Sequence, residues 1–82
     1  MAKAFVLINT EVGSETEIIN SLKNYNEIKE LYLVYGVYDI VAQIEADSIE
    51  KLKEVVADKI RKIPKVKSTL TMIVIESSEK PS

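Results

Sequence analysis

Two short segments of the chain carry the side chains best suited to bind a small molecule. In Gly36–Asp39 a turn and an acid lie between two apolar runs, and Ser68–Thr71 holds three hydroxyls in four positions. Gly36 can adopt the positive φ that a two-residue type II′ hairpin loop needs at its first central position. Asp39 then starts the returning strand. An acid near backbone N–H groups and hydroxyls matches the ammonium and carboxylate of a free amino acid.

The composition removes most competing chemistry. The 82 residues suffice for one domain with a modest core, so we expect oligomerisation to add stability. The chain contains no histidine and no cysteine, which excludes imidazole catalysis, thiolate chemistry, disulfides and the usual zinc ligands. We therefore predict no metal and no cofactor. A formal charge of −2 provides no basic field for a polyanion, which argues against direct nucleic-acid binding.

The sequence also indicates the environment of the protein. No apolar run reaches the roughly 18 residues of a membrane span, and the N-terminus lacks the apolar stretch and cleavage site of a signal peptide. Both features predict a cytoplasmic protein with no membrane contact. Abundant Lys, Glu and Ile with few amides lean toward a thermophilic source.

The spacing of apolar residues predicts six elements that must position these side chains. Capping boxes at Ser14–Glu17 and Asp47–Glu50 open two helices, and β-branched and aromatic runs mark four strands. In chain order the elements are strand Ala4–Ile8, helix Ser14–Tyr25, strand Ile28–Tyr35, strand Tyr38–Glu45, a second helix stopped by Pro64, and strand Val66–Glu76. This order predicts an α+β, ferredoxin-like βαββαβ sandwich with a four-stranded antiparallel sheet in the spatial order fourth, first, third, second. The domain would cover residues 1–76, followed by a flexible polar tail at 77–82.

The sheet face that the helices leave bare is predicted to be apolar. Apolar residues occupy both faces of the first and last strands: Phe5, Val6, Leu7 and Ile8 on the first, and Met72, Ile73, Val74 and Ile75 on the last. An antiparallel sheet with one face in water would alternate polar and apolar side chains, so we expect a second protein layer here. The sequence therefore predicts a dimer packed sheet to sheet, with scattered surface aliphatics as the alternative.

Topology separates the two candidate segments within one chain. Two to three strand spacings, on the order of 10–15 Å, lie between the hairpin and the last strand. An acid from one chain and hydroxyls from another would meet across a subunit interface, so the site is predicted to require assembly. Each residue also has a structural explanation: Asp39 would accept hydrogen bonds from the turn's backbone, Thr69 and Thr71 would be ordinary strand residues, and Tyr35 and Tyr38 would pack across strands.

Two charged runs have an ordinary explanation as well. Cations at the end of the second helix suit its dipole, and acids at the start of the first helix do the same. The runs are Lys59, Arg61, Lys62, Lys65 and Lys67, and Glu11, Glu15 and Glu17. Neither run predicts a partner.

Three segments resemble the effector-binding (RAM) domain of the Lrp/AsnC (feast/famine) transcriptional regulators. They are the hairpin Tyr35–Val41, the helix Leu52–Ile63 and the closing segment Ile63–Met72, and the resemblance covers nearly the whole chain. The pattern is a glycine, two residues and an aspartate in the hairpin, followed later by proline-x-valine and threonine-x-threonine. One departure is Lys65, where the family often has a glycine before the valine.

The resemblance implies a domain that dimerises through its sheets, assembles into rings of dimers and binds small effectors, typically amino acids, between dimers. Asp39 would lie near the amino group of the effector, in the effector loop. By position, the effector-binding residues would be Gly36, Tyr38, Asp39, Ser68, Thr69 and Thr71. Family members usually carry an N-terminal helix-turn-helix domain, whereas this chain begins at the first sheet strand and would not read DNA as they do.

The resemblance therefore implies a stand-alone domain that acts by co-assembly with full-length Lrp/AsnC regulators or by ligand sensing. An excised fragment is the alternative, and Met1 favours a complete protein. A purely structural oligomerisation module with a vestigial pocket is the alternative function. A small enzyme on this scaffold, such as a dimeric αβ-barrel monooxygenase or an acylphosphatase-like hydrolase, would lack a convergent catalytic set. ACT domains share the topology but fit the glycine and aspartate spacing less well. We therefore predict a module that is not an enzyme.

Overall fold

The computed structural model describes residues 1–80 and has the strand and helix order predicted from the sequence. The strands are β1 (Ala2–Thr10), β2 (Ile28–Leu33), β3 (Ile40–Ala46) and β4 (Val66–Ile73), and the helices are α1 (Glu15–Leu22) and α2 (Ile49–Val55), which continues as a π-helical turn over Val56–Ile60. Neighbouring strands are antiparallel, in the order β2-β3-β1-β4. The predicted ferredoxin-like α+β fold is confirmed. Within residues 1–80 no helix combines the length and apolar character needed to cross a membrane.

The core lies between the helices and one face of the sheet. Every second residue of β1 and β3 is buried, because side chains alternate between the two faces of a strand. The largest fully buried side chains are Val6, Ile8, Ile18, Leu22, Ile40, Ile44, Leu52, Val55 and Ile60. Ser48 caps α2 by accepting a hydrogen bond from the Lys51 amide at 3.1 Å, one residue later than the capping box predicted at Asp47. The capping box predicted at Ser14 is wrong, since Ser14 has φ −102° and ψ 3° rather than extended backbone and makes no side-chain cap.

The opposite face of the sheet, which we call the open face, is apolar as predicted. Phe5 pairs with Met72, and Leu7 lies between Val41 and Leu70. Leu70 and Met72 keep 46% and 47% of their surface exposed, although both belong to a regular strand. The open face therefore carries an apolar row of Val41, Leu7 and Leu70 across β3, β1 and β4, while Gln43 and Glu45 of β3 lie beside it, opposite Phe5 and Lys3. The dimer that would cover this face stays a prediction.

The hairpin between β2 and β3 is longer than predicted. The strands end at Leu33 and begin again at Ile40, so the loop covers residues 34–39 instead of two residues. Its backbone closes through the Val34 amide, which donates to the Asp39 carbonyl at 2.9 Å. The type II′ turn predicted at Gly36 is wrong: Gly36 has no positive φ, and a Cβ there would meet nothing within 4 Å. At the other edge of the loop's last residue, the Asp39 amide donates to the Ile8 carbonyl of β1 at 3.0 Å.

Other element ends also differ from prediction. Helix α1 ends at Leu22 instead of Tyr25, and β4 ends at Ile73 instead of Glu76. Beyond β4, the Val74 amide still donates to the Lys3 carbonyl at 2.9 Å. The domain boundary at residue 76 and the tail at 77–82 stay predictions, and residues 81 and 82 lie outside the described residues.

Candidate functional site

The predicted segments lie at one end of the sheet, where β1 and β2 end and β3 and β4 begin. We call this the site end. Here the Asp39 carboxylate is held by the last residue of β1: its Oδ2 accepts hydrogen bonds from the Thr10 amide at 2.9 Å and the Thr10 hydroxyl at 3.3 Å. Thr10 is buried. Asp39 is therefore a fixed acid, and its Oδ1 accepts no hydrogen bond from residues 1–80.

A cavity of about 560 Å³ opens beside Asp39. Its walls are mostly apolar: Thr10, Val12, Glu15, Leu33, Val34, Tyr35 and Asp39. Val12 and Tyr35 are fully exposed, so the apolar wall is incomplete in a single chain. Within residues 1–80, Oε1 of Glu15 is the one side-chain polar atom that is buried without a hydrogen-bond partner. The cavity therefore combines two acids with apolar side chains that are exposed to solvent in a single chain.

A second cavity, of about 470 Å³, lies on the other side of β1 against β4. Its lining consists of Val56, Arg61, Val66, Lys67, Ser68, Thr69 and Thr71. Thr69 and Thr71 pair with Ile8 and Val6, so they share the face that the helices cover. Ser68 pairs with Asn9, and its Oγ accepts a hydrogen bond from the side-chain Nδ2 of Asn9 at 3.2 Å. This cavity combines hydroxyls with two cations.

Two local irregularities position those cations. After α2 the Arg61 amide donates to the Val56 carbonyl at 2.8 Å, which is the wider hydrogen bond of a π-helix. In β4 the pairing steps from Val66 to Ser68 while β1 moves by one residue, so Lys67 is the extra residue of a bulge. In the sequence both cations belong to the charged run at the end of the second helix, and neither irregularity leaves a signal in apolar spacing.

The remaining predicted residues have less to do with either cavity. Tyr38 is half-buried and lines neither one, whereas Tyr35 lines the Asp39 cavity. Gly36 is exposed in the loop and lines neither cavity. The structure brings Asp39 and Thr69 to the same end of the sheet but on opposite sides of β1, about 10 Å apart by strand spacing. Sequence reasoning missed Thr10, Glu15, Arg61 and Lys67.

Ionisable groups whose pKa moves lie away from the site end. The backbone N–H of Glu27 and a hydrogen bond from Lys59 lower the pKa of the Glu27 carboxyl below its usual value. Lys59 also lies 5.4 Å from the centre of the Tyr25 ring, so this ion pair joins the π-helical turn to the loop before β2. On β2 the Tyr32 hydroxyl donates to the Glu30 carboxylate, which raises the pKa of Tyr32. Both pairs have structural explanations.

Comparison with known proteins gives one consistent result. A family model described as the Lrp/AsnC ligand binding domain matches residues 3–81. The HTH-type transcriptional regulator FL11 of Pyrococcus abyssi (strain GE5 / Orsay) is 39% identical over 74 residues, which are 90% of this chain and 48% of that protein. The chain thus spans about half the length of the curated relatives it matches.

Solved structures agree with this result. The crystal structure of FFRP-DM1 has a TM-score of 0.88 and 41% identity, covering 92% of this chain and 100% of that chain. The structure of E. coli AsnC has a TM-score of 0.91 and 26% identity, covering 99% of this chain and 55% of that chain. The sheet and helices described above are therefore those of this family.

Proposed function

We propose that this chain, which belongs to the Lrp/AsnC ligand-binding domain family, binds a free amino acid at interfaces between its copies. Binding would modulate transcription through co-assembly with DNA-binding regulators of the same family, or through ligand sensing. The observation that carries the proposal is the pair of oppositely charged cavities at the site end. One holds the fixed carboxylate of Asp39, and the other holds the hydroxyls of Thr69 and Thr71.

The distance between these cavities requires a second chain. An amino acid carries its ammonium and its carboxylate on the same carbon atom, so both groups must be satisfied within a few bonds of each other. Asp39 and Thr69 of one chain are about 10 Å apart, with β1 between them. The acid of one copy would therefore meet the hydroxyls of another. The exposed side chains of Val12 and Tyr35 support this arrangement, because a second copy would complete the wall that they leave open.

The open face supplies the first step of such an assembly. Leu70 and Met72 are half exposed on a sheet face that no helix covers, and Phe5 and Leu7 extend the same apolar strip. A sheet face of this kind is stable when a second layer removes it from water. We propose homodimers packed through the open face, which then associate into rings through the site end.

We propose binding without catalysis. The relatives are transcriptional regulators, and the chain spans about half of their length. A chain without histidine or cysteine has few groups able to transfer a proton near neutral pH. The carboxylates and hydroxyls of the two cavities can instead hold the charged groups of a ligand by hydrogen bonds.

Asp39→Asn tests the proposal. Calorimetric titration of the assembled wild-type protein with the common amino acids should identify at least one ligand, and the variant should bind it roughly ten- to a hundredfold more weakly. Asp47→Asn is the matched control, because Asp47 follows the other end of the same strand, far from both cavities. It should leave affinity unchanged. Failure of every amino acid to bind would contradict the proposal.

A purely structural assembly module is the second candidate, and the hydrogen bonds from Thr10 favour it. They account for Asp39 as a clamp between β1 and β3 without any ligand. Under this alternative Asp39→Asn would lower the melting temperature or change the oligomeric state, and no amino acid would bind to either form. Titration of the wild type with amino acids therefore separates the two functions, and light scattering and thermal melting show whether Asp39→Asn also alters assembly or stability.

A further inference from the structure

We infer that Arg61 holds the carboxylate of the bound amino acid, so that the site accepts ligands with a free α-carboxylate and rejects their amides. The inference rests on the proposed function and assigns a specificity-determining residue to the cavity against β4. Arg61 lines that cavity together with Thr69 and Thr71. A planar guanidinium can donate two parallel hydrogen bonds to a carboxylate, which a neutral amide cannot accept equally.

The charge of Arg61 is free to do this. No Asp or Glu among residues 1–80 forms an ion pair with it, and the ion pairs found there join Lys51 to Glu54, Lys59 to Glu27 and Lys65 to Glu17. Arg61 also lines a neighbouring cavity with Lys53, Thr71 and Ile73, so its side chain lies over β4. Lys67, the second cation of the cavity, also contributes positive charge, but its ammonium cannot donate two parallel hydrogen bonds to a carboxylate as a guanidinium does.

The π-helical turn explains how Arg61 comes to lie over the threonines. One additional residue in a helical turn rotates every following side chain by about 100° around the helix axis. The Arg61 amide bonds to Val56 rather than to Ala57, so the turn has been widened by that one residue. Lys62, the next cation along the chain, does not line the cavity. The preference for cations at a helix end applies equally to Arg61 and Lys62. Of these two residues, however, Arg61 alone lines the cavity.

The test compares Arg61→Met with Lys62→Met, which removes the same charge one residue away. For each amino acid that the assembled wild type binds, calorimetry measures the affinity for the acid and for its α-carboxamide. We expect Arg61→Met to weaken binding of the acid roughly ten- to a hundredfold and to bring the acid-to-amide ratio of affinities close to one. Lys62→Met should keep both at the wild-type values. Arg61→Lys should bind the acid severalfold more weakly than the wild type, because lysine keeps the positive charge but lacks the two parallel N–H donors of a guanidinium.

The possible results of this test distinguish an error in the assignment of Arg61 from an error in the proposed function. If the wild type binds an amino acid and Arg61→Met binds it equally well with an unchanged ratio, the assignment of Arg61 is wrong and the proposed function stands. If the wild type binds no amino acid, the proposed function fails and the assignment fails with it. Thermal melting and light scattering verify that Arg61→Met is folded and assembled. Should that variant fail to fold, Arg61→Lys and Arg61→Gln decide by the same ratio, and equal wild-type affinity for acid and amide would overturn the inference.

Discussion

The two ends of the sheet use their charges differently. At the far end, which comprises residues 25–29 and 45–51, Glu27 is paired with Lys59 and Ser48 caps α2. At the site end, Arg61 has no acidic partner among residues 1–80 and Oε1 of Glu15 is buried without a hydrogen bond. Its one ion pair, between Lys65 and Glu17, is about half exposed.

The difference indicates which end is built for binding. The paired charges and the capped helix of the far end are accounted for by their contribution to stability, so no ligand is needed to explain them. A buried unpaired oxygen and an unpaired guanidinium reduce stability or contribute little to it, and groups of this kind are typical of functional sites. This contrast supports the proposal that the site end binds a ligand, whereas the charges of the far end are explained by stability alone.

The largest expected effect is that of Met72→Asp, which places an acid on the open face. Burying an unpaired carboxylate costs several kcal/mol, so dimerisation should weaken by at least ~100-fold. Light scattering should then report monomers at micromolar concentration. Amino-acid binding should weaken as well, because the rings that bring two site ends together are proposed to form from these dimers.

Ile49→Asp is the matched control for that variant. Ile49 is 46% exposed, which nearly equals the 47% of Met72, but it lies in the first turn of α2 at the far end. An acid there suits the helix dipole. We expect assembly and binding to persist, and an equal loss in both variants would mean that the open face has no special role.

The next effect concerns backbone conformation. The two left-handed residues among residues 1–80 are Gly13, with φ 84°, and Lys65, with φ 75°, and both lie at the site end. A side chain in this region costs roughly 1–2 kcal/mol. Lys65→Gly should therefore raise the free energy of unfolding by about 0.5–1 kcal/mol, after allowing for the greater freedom of glycine in the unfolded chain. Gly13→Ala should lower it by about 1 kcal/mol. Urea denaturation measures both, and shifts in the same direction would contradict the conformational explanation.

A smaller effect comes from the same chemical change made at each end. Glu15→Gln removes a partly buried charge with an unpaired oxygen, but it also removes a favourable charge from the first turn of α1, so the two effects should nearly cancel and stability should change by about 0.3 kcal/mol or less. Glu27→Gln removes one charge of the pair with Lys59, whose ammonium lies 3.1 Å away, so stability should fall by about 0.5 kcal/mol. Denaturant melts should therefore show a loss of stability in Glu27→Gln and little change in Glu15→Gln. A loss in Glu15→Gln as large as that in Glu27→Gln would mean that this carboxylate has an unrecognised partner.

The smallest effect is the pH dependence of the Glu27 pair. Hydrogen bonds lower the pKa of Glu27 below its usual value of 4.5, so the unfolded chain takes up a proton at higher pH than the folded chain. The stabilisation is fully present above pH 4.5 and is lost as the pH falls through the lower folded value. Solvent screening limits it to about 0.5 kcal/mol or less. Comparing wild type with Glu27→Gln between pH 7 and pH 3 should give a stability difference that shrinks on acidification, and a difference that grows would contradict this assignment.

The sequence predicted the fold and the apolar open face correctly because both follow from periodicity. Alternating apolar residues such as Val6 and Ile8 identify strands, and their neighbours Phe5 and Leu7 identify the second apolar face. Asp39 was identified by type and position. In the structure Asp39 is the last residue of the loop and immediately precedes β3, one residue before the strand rather than inside it, and the hairpin around Gly36 takes another form.

The site's other residues could not be predicted because they depend on irregular backbone and on packing between distant segments. The π-helical turn before Arg61 and the bulge at Lys67 add single residues to regular elements, and apolar spacing tolerates such insertions. Thr10 meets Asp39 only when β1 and β3 pair in register. Lys65 is the exception, since its place in a pattern that often has glycine was a signal for the left-handed backbone found there.

The most direct test is a crystal structure of the assembled protein with the amino acid that binds it most tightly. We expect density for the ligand between two dimers, with its ammonium on Asp39 of one protomer and its carboxylate near Arg61, Thr69 and Thr71 of another. An interface closed over empty cavities, or a ligand held entirely within one chain, would contradict it.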